Sequence, residues 1–132
     1  MTRHFSILII SSLLTSCYGN KATFNENGVI EKLGTPIKVE YFKNVSGKAF
    51  QYSDTASFVI TDPQELKTVI NEIKNADNPE PWKGAGWNRI QIHYADTILN
   101  INTNNKKIGV SASGTFYDLG KDNFITKRTS EK

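Results

Sequence analysis

Few side chains in this sequence could take part in catalysis. His93 is one of two histidines, and the other, His4, lies in the first five residues. A serine hydrolase would need His93 as its general base and Ser111 or Ser113 of the segment GVSASG as its nucleophile. That segment does not match the Gly-x-Ser-x-Gly elbow, because Ser113 occupies the position of the second glycine. We therefore predict no catalytic residue here and expect His93 to face solvent from a strand.

The remaining polar residues do not indicate a metal or phosphate site. A single histidine beyond residue 5 and a single cysteine cannot supply the usual ligand spacing of zinc, and no calcium-loop spacing is present. Asp118, Asp122 and Asn123 are close in sequence, but turn formation and helix capping explain them. The GAG triplet at 84–86 lacks the strand-to-helix setting of a phosphate-binding loop. We predict no cofactor and no metal.

The segment PWKGAGW, residues 81–87, carries both tryptophans of the chain. Trp82 and Trp87 can fold back to close one end of a hydrophobic core, with the glycines permitting the bend. They can also form, with Lys83, a ligand-binding loop, because indole faces suit sugars, peptides and aromatic ligands. Both interpretations hold if one indole is buried and the other exposed. Trp82, Lys83 and Trp87 are the candidate ligand-binding residues.

The only cysteine, Cys17, follows a short apolar run. A basic head at Met1–His4 precedes the eleven-residue stretch FSILIISSLLT, and small residues lead into Cys17. These are the features of a secretory signal. The run is shorter than the about 20 apolar residues that a spanning helix needs.

The exit from this run, Leu14-Thr15-Ser16-Cys17, resembles the lipobox of bacterial lipoproteins. The resemblance implies attachment of diacylglycerol to the Cys17 thiol, cleavage after Ser16 and acylation of the new amino terminus. Two or more acyl chains give stable anchoring, so it implies a lipid-anchored protein of the cell envelope. Tyr18 rather than aspartate follows, which in enteric-type bacteria implies the outer membrane, facing the periplasm. The alternative is an ordinary secretory signal with an incidental or buried thiol.

Composition limits the classes of partner. Cleavage after Ser16 removes one charged residue, Arg3, and lowers the formal net charge from +3 to +2. This slight and interleaved charge does not favour a nucleic-acid partner. Lipid on Cys17 leaves no thiol for a disulfide. A hydrophobic content of 38% supports a folded domain. We expect a signal peptide at 1–16, a flexible tether at 17–35 that can contain a short element at Val29–Leu33, and one globular domain at 36–132.

Hydrophobic periodicity predicts one helix. Within TDPQELKTVINEIKNA, Asp62 and Glu65 match a capping box and Pro63 suits the first helical position. The apolar residues fall at positions i, i+3, i+4 and i+7 and form one stripe, which comprises Leu66, Val69, Ile70 and Ile73. A helix with one apolar face must pack on another element, and a sheet is the expected partner.

Strands are predicted on both sides of this helix. Ile37, Val39 and Tyr41 alternate with charged residues, as in a half-buried strand. Further strands are predicted at 55–60, 90–94, 98–103, 107–112 and 115–119, with Tyr94 and Tyr117 as sheet residues. Residues 77–87 interrupt all periodicity, and 122–127 fit a short helix or a strand. The expected fold is α+β: an antiparallel, twisted sheet of five to six strands with one amphipathic helix on one face, in the order β-β-α-β-β-β-β.

These features predict a lipid-anchored, non-enzymatic envelope protein. We expect it to bind a protein or a cell-wall saccharide through the sheet face or the loop at 81–87. Two alternatives remain open: a small envelope hydrolase using His93, and a purely structural component of an envelope complex. The oligomeric state is open as well.

Overall fold

The computed structural model describes residues 23–25, 28–110 and 114–130 and shows an α+β fold. The elements in chain order are α1 (Val29–Lys32), β1 (Lys38–Phe42), β2 (Phe58–Ile60), α2 (Pro63–Lys74), β3 (Asp77–Pro81), β4 (Asn88–His93), β5 (Ile98–Thr103), β6 (Lys107–Gly109), β7 (Thr115–Asp118) and α3 (Phe124–Ser130). The described strands form one sheet in the order β2-β1-β4-β5-β6-β7-β3. Every neighbouring pair is antiparallel, as the short connections predict.

The sheet has seven strands in the described part of the chain, so the prediction of five to six strands was wrong. The additional strand is β3, in the segment DNPEP that the sequence predicts as a loop. β3 lies at the edge of the sheet and pairs with β7 alone. Pro79 and Pro81 have no backbone N–H to donate, and an edge strand tolerates this because it has no second neighbouring strand to bond. The pairing is irregular between Asp77 and Glu80, where Asn78 has a φ of 53°.

Helix α2 forms as its sequence predicts. The carboxylate of Asp62 accepts a hydrogen bond from the backbone N–H of Glu65 at 3.0 Å, and Pro63 opens the helix. The predicted apolar stripe is buried: Leu66, Val69, Ile70 and Ile73. The carboxylate of Glu65 contacts the guanidinium of Arg128, which ties α2 to α3.

The hydrophobic core lies between α2 and one face of the sheet, and two short helices complete it. Ile30 of α1 and Ile125 of α3 are both buried in this core. Phe24, Ile30 and Leu33, which we expected in a flexible tether, pack against or within it. The backbone N–H of Phe24 donates to the carbonyl oxygen of Ala76 at 2.8 Å. In the described part of the chain, α1 and α3 therefore lie against the sheet in addition to the one amphipathic helix that we predicted, α2.

Asn123 explains why residues 122–127 lead into a helix and not a strand. Its side-chain oxygen accepts from the backbone N–H groups of Ile125 and Thr126, which caps α3. Its amide nitrogen donates to the carbonyl oxygens of Asn105 and Gly120 at 2.7 and 2.8 Å. The side chain is fully buried. A residue with four such bonds fixes the start of α3 against the β5–β6 turn.

The opposite side of the sheet, which we call the open face, carries polar side chains at its centre. Glu40 of β1 lies opposite Gln91 of β4, which lies opposite Asn100 of β5. The amide of Gln91 donates to the side-chain oxygen of Asn100 at 3.0 Å. Arg89 and His93 share this face with Gln91 because strand residues alternate. None of the described helices is long and apolar enough to cross a bilayer.

Candidate functional site

Three aromatic rings gather on the open face, and we call them the aromatic cluster: Trp82, Trp87 and Phe116. The two indoles stack with ring centroids 4.5 Å apart and an interplanar angle of 23°. Phe116 of β7 lies 6.1 Å from Trp82 and 5.4 Å from Trp87, measured between centroids. Phe116 is buried, whereas both indoles are half-buried. The cluster therefore rests on the sheet and still presents indole surface to solvent.

The strand order explains why these residues meet. β3 lies at the sheet edge and the next strand in the chain, β4, is four positions away. The segment at 82–87 must therefore run across β7, β6 and β5. Gly109 of β6 lies beneath it: an added Cβ would come within 2.9 Å of Cζ3 of Trp82 and 2.5 Å of the carbonyl oxygen of Thr115. A glycine is needed here because the indole packs directly on the strand backbone.

The crossing segment turns at two glycines. Gly84 and Gly86 have φ values of 86° and 76°, a backbone region that residues with a Cβ atom rarely adopt. Between them the chain bends enough for Nε1 of Trp87 to donate to the carbonyl oxygen of Lys83 at 3.2 Å. A Cβ at Gly86 would lie 2.6 Å from the carbonyl oxygen of Gly47. The segment at 82–87 thus touches the loop that joins β1 to β2.

That β1–β2 loop is held by asparagine side chains. The side-chain oxygen of Asn44 accepts from the N–H groups of Ser46 and Gly47, and its amide donates to the carbonyl oxygen of Lys48. The backbone N–H of Asn44 in turn donates to the side-chain oxygen of Asn88 at 2.8 Å. The loop is therefore folded on itself and fastened to the first residue of β4.

Asn105 in the β5–β6 turn extends this attachment. Its side-chain oxygen accepts from the amide of Asn88 at 3.2 Å and from the hydroxyl of Tyr41 at 2.6 Å. Burial raises the pKa of the Tyr41 hydroxyl above its ordinary value, although the bond to Asn105 acts in the opposite direction. The hydroxyl therefore remains protonated and remains a donor. Loop and strands are joined by side-chain bonds on a rigid support.

The two loops enclose a cleft with a volume of about 170 Å³. We call it the aromatic cleft, and its lining residues are Ala49, Phe50, Tyr52, Trp82, Gly84, Ala85, Gly86, Trp87 and Asn102. Four aromatic rings contribute to the walls, and the other lining residues are small except for one asparagine. A cavity of roughly 150 Å³ accommodates benzene. The cleft is therefore large enough for one ring-sized or branched apolar group.

One wall of the cleft is stiffened by Tyr52. Its hydroxyl donates to the side-chain oxygen of Asn102 at 3.2 Å. The guanidinium carbon of Arg89 lies 4.2 Å from the centre of its ring, a cation–π distance. Nε of Arg89 is buried and has no hydrogen-bond partner among the residues that the structure describes. The tyrosine side chain is therefore contacted both at its hydroxyl and on its ring face.

The β1–β2 loop, which contributes Phe50 to the cleft, carries exposed apolar side chains. Phe50 is 63% exposed and Val45 is 64% exposed. Phe50 also has a φ of 63°, an unusual conformation for a bulky residue that costs on the order of 1–3 kcal/mol. Lys43, Lys48 and Lys83 are exposed nearby in sequence, and no ion pair is found for them within the described residues. The left-handed conformation of Phe50 disfavours folding, whereas its exposed ring contributes little to the stability of the fold.

The structure brings together Trp82 and Trp87 and places Lys83 between them on the same loop. Their half-buried state combines the two interpretations of the sequence, because each indole packs on the sheet and lines the cleft. Sequence reasoning missed Phe50 and Tyr52, which lie between two predicted strands in a stretch to which no element was assigned. It also missed Phe116, which was assigned to a strand without a role. Their approach to the tryptophans depends on the strand order, and no local spacing signals it.

The other sequence candidates do not join this site. Nε2 of His93 lies 2.6 Å from Oε1 of Glu40, and Nζ of Lys38 lies 3.6 Å from the same oxygen. The register places His93 on the open face with Arg89, as predicted, at the far end of β4. The side chain does not face solvent as we expected, because it is only 18% exposed and lies against Glu40. Ser111 and Ser113 lie outside the described residues, and so do Cys17, Tyr18 and the signal segment at 1–16. Within the ranges that the structure covers, three or more potential metal ligands are not found together.

Comparisons of the chain with protein-family models, with curated proteins and with solved structures gave no significant match.

Proposed function

We propose that this chain is a lipid-anchored, non-enzymatic binding protein of the bacterial cell envelope, and that the aromatic cleft is its binding site. The anchoring is supported by the resemblance of Leu14-Thr15-Ser16-Cys17 to a lipobox. In this proposal, acyl chains on Cys17 hold the domain beside a membrane, and the cleft binds an apolar group of the partner.

The observation that carries the proposal is a preformed cleft between two fastened loops. Binding sites are typically concave, largely apolar and formed before the ligand arrives. Tryptophan, tyrosine and arginine are the residues that most often dominate binding energies, and Trp82, Trp87, Tyr52 and Arg89 meet here. Strain and exposure at Phe50 have no evident benefit for folding, and a binding role explains both.

The chemistry of the walls favours an apolar group over a sugar ring. The hydroxyl of Tyr52 and the side-chain oxygen of Asn102 are bonded to each other, and Nε1 of Trp87 is bonded to the carbonyl oxygen of Lys83. These polar atoms are already engaged within the protein. Hydroxyl groups of a buried sugar would find few partners, and burying an unpaired hydroxyl costs about 1–3 kcal/mol by protein mutational data.

The anchoring part is tested by labelling cells with a radioactive or alkyne-bearing palmitate. We expect label on the wild-type chain and its recovery in the membrane fraction. The Cys17→Ser variant should carry no label and should leave the membrane fraction. Equal labelling of both chains, or none on either, contradicts the anchor.

The binding part is tested by a photocrosslinking amino acid placed at Lys83, beside the cleft. The matched control carries the same group at Gln64, an exposed position on α2 away from the cleft. We expect a defined adduct in intact cells from position 83 and not from position 64. Loss of the adduct in a Trp87→Ala background would link it to the cleft. The same adducts from both positions would contradict the assignment of the cleft as the binding site.

A further inference from the structure

The β1–β2 loop and the end of the segment 82–87 that leads into β4 lie at one end of the sheet, whereas Trp82 lies beside Gly114 at the start of β7. β1 ends where β4 begins, since Phe42 lies opposite Arg89, and the loop at 43–57 follows β1 directly. Trp87 precedes the first residue of β4. The start of β3 shares this end, because Lys107 and Asp77 both lie opposite Asp118. We call this the loop end of the sheet.

The chain coming from Cys17 reaches the domain at this same end. Phe24 hydrogen-bonds to the carbonyl oxygen of Ala76, the residue immediately before β3. Thr23 is six residues from Cys17, and six residues span at most about 20 Å when fully extended. If acyl chains on Cys17 are in the bilayer, the loop end is held close to that bilayer.

The side chains displayed at this end suit a bilayer surface. Val45 and Phe50 project apolar groups into solvent. Trp87 and Tyr52 stand behind them, and amphipathic rings of this kind are enriched at membrane–water interfaces. Lys43, Lys48 and Lys83 supply positive charge for anionic headgroups.

We infer that the partner of the aromatic cleft is the bilayer itself: the loops at 43–50 and 82–87 dock on an anionic membrane surface, with Phe50 and Val45 entering the interface. The inference rests on the proposed function, because the lipid on Cys17 brings the loops to the membrane. Docking then fixes the orientation of the domain, with the loop end towards the lipid and the far end of β4 and β5 away from it. The exposed and strained Phe50 is explained by its transfer from water into the interface.

The tryptophans allow a direct test, because the chain has only two and both belong to the cleft. Lipidated protein from cells is reconstituted into phosphatidylglycerol–phosphatidylcholine vesicles, with or without bromine on the acyl chains. Brominated chains quench nearby indoles. We expect emission to shift to shorter wavelength on reconstitution and to fall at least twofold in brominated vesicles.

Variants then assign the effect to the loops. The double variant Val45→Ser/Phe50→Ser should lose most of the quenching. The matched control is Ile98→Ser, which changes another exposed apolar side chain, 46% exposed, at the far end of the sheet. It should be quenched like wild type. The variant Lys43→Gln/Lys48→Gln leaves the apolar tip intact and should lower quenching at low salt, with less effect in pure phosphatidylcholine.

The outcomes separate the two proposals. Protein that floats with the vesicles but has the same emission with and without bromine keeps its anchor and overturns the docking. Equal quenching of wild type and of both loop variants overturns it as well. Displacement of the tryptophan signal by a soluble peptide or a peptidoglycan fragment in the presence of vesicles would assign the cleft to that ligand instead. Protein that does not float with the vesicles contradicts the lipid anchor, and the docking fails with it.

Discussion

Gly109→Ala tests whether Trp82 packs directly on the sheet. The added Cβ would come within 2.5 Å of the carbonyl oxygen of Thr115 and 2.9 Å of the indole of Trp82, both well inside the 3.4 Å at which ordinary contact begins. Overpacking of this kind costs about 1–3 kcal/mol. The indole can move away, but it then loses its stacking on Trp87, which is worth about 0.5–1.5 kcal/mol. We expect the free energy of unfolding to fall by roughly 2–4 kcal/mol.

Two readouts check this prediction: urea unfolding followed by circular dichroism, and tryptophan emission of the folded state. The matched control is Gly120→Ala, at a φ of 92° with nothing within 4 Å of the added Cβ. That substitution should cost about 1–2 kcal/mol through backbone strain alone and should leave the emission unchanged. Wild-type stability and wild-type emission in Gly109→Ala would refute the packing of Trp82 on β6.

Three further substitutions test the surroundings of the core. Hydrogen bonds from Lys74 and Asn25 lower the pKa of the Glu31 carboxyl from 4.5 to about 2. The stabilising effect of the charged carboxylate is therefore present above pH 4.5 and is lost as the pH falls towards 2. The unfolding midpoints of wild type and Glu31→Gln should converge over that pH range, and a constant difference between them would contradict the assignment. Burial raises the pKa of the Glu72 carboxyl above 4.5, so the charged form of this side chain destabilises the folded state. Glu72→Gln should therefore raise the thermal unfolding midpoint at pH 7 and have no effect below pH 4. A lower midpoint for the variant at pH 7 would contradict this reasoning. Asn123→Ala removes the cap of α3 and the two hydrogen bonds that the buried side-chain amide donates. The free energy of unfolding in urea should fall by about 2–4 kcal/mol. A fall of less than about 1 kcal/mol would show that the cap does not hold α3.

Local signals predicted those elements whose formation depends on nearby residues. The cap at Asp62, the proline at the first helical position and the apolar stripe from Leu66 to Ile73 specify α2 almost to the residue. Alternation predicted β1 and β4, because each has one buried face and one more polar face.

The errors arise where tertiary position overrides local preference. Two prolines made residues 77–81 unsuitable for a central strand, but an edge position tolerates them. Phe24 and Ile30 belong to the stretch that we expected as a tether, and they pack on the core because burial of apolar side chains is favourable even in a mostly polar segment.

The candidate site was predictable in part. The spacing of Trp82, Lys83 and Trp87 marked the loop, but their partners Phe50, Tyr52 and Phe116 reach it through the strand order. The strain at Phe50 is a backbone property that its sequence neighbours do not reveal. A sequence pattern can therefore locate one wall of such a cleft and not the opposite wall.

The central claim is that acyl chains on Cys17 hold a preformed aromatic cleft beside a membrane. The most direct measurement is mass spectrometry of the amino-terminal peptide of the protein purified from its native membranes. The account predicts a chain that begins at Cys17, with the mass of a diacylglyceryl group on sulfur and an acyl group on nitrogen. A chain that retains residues 1–16, or a Cys17 with a free thiol, would contradict it.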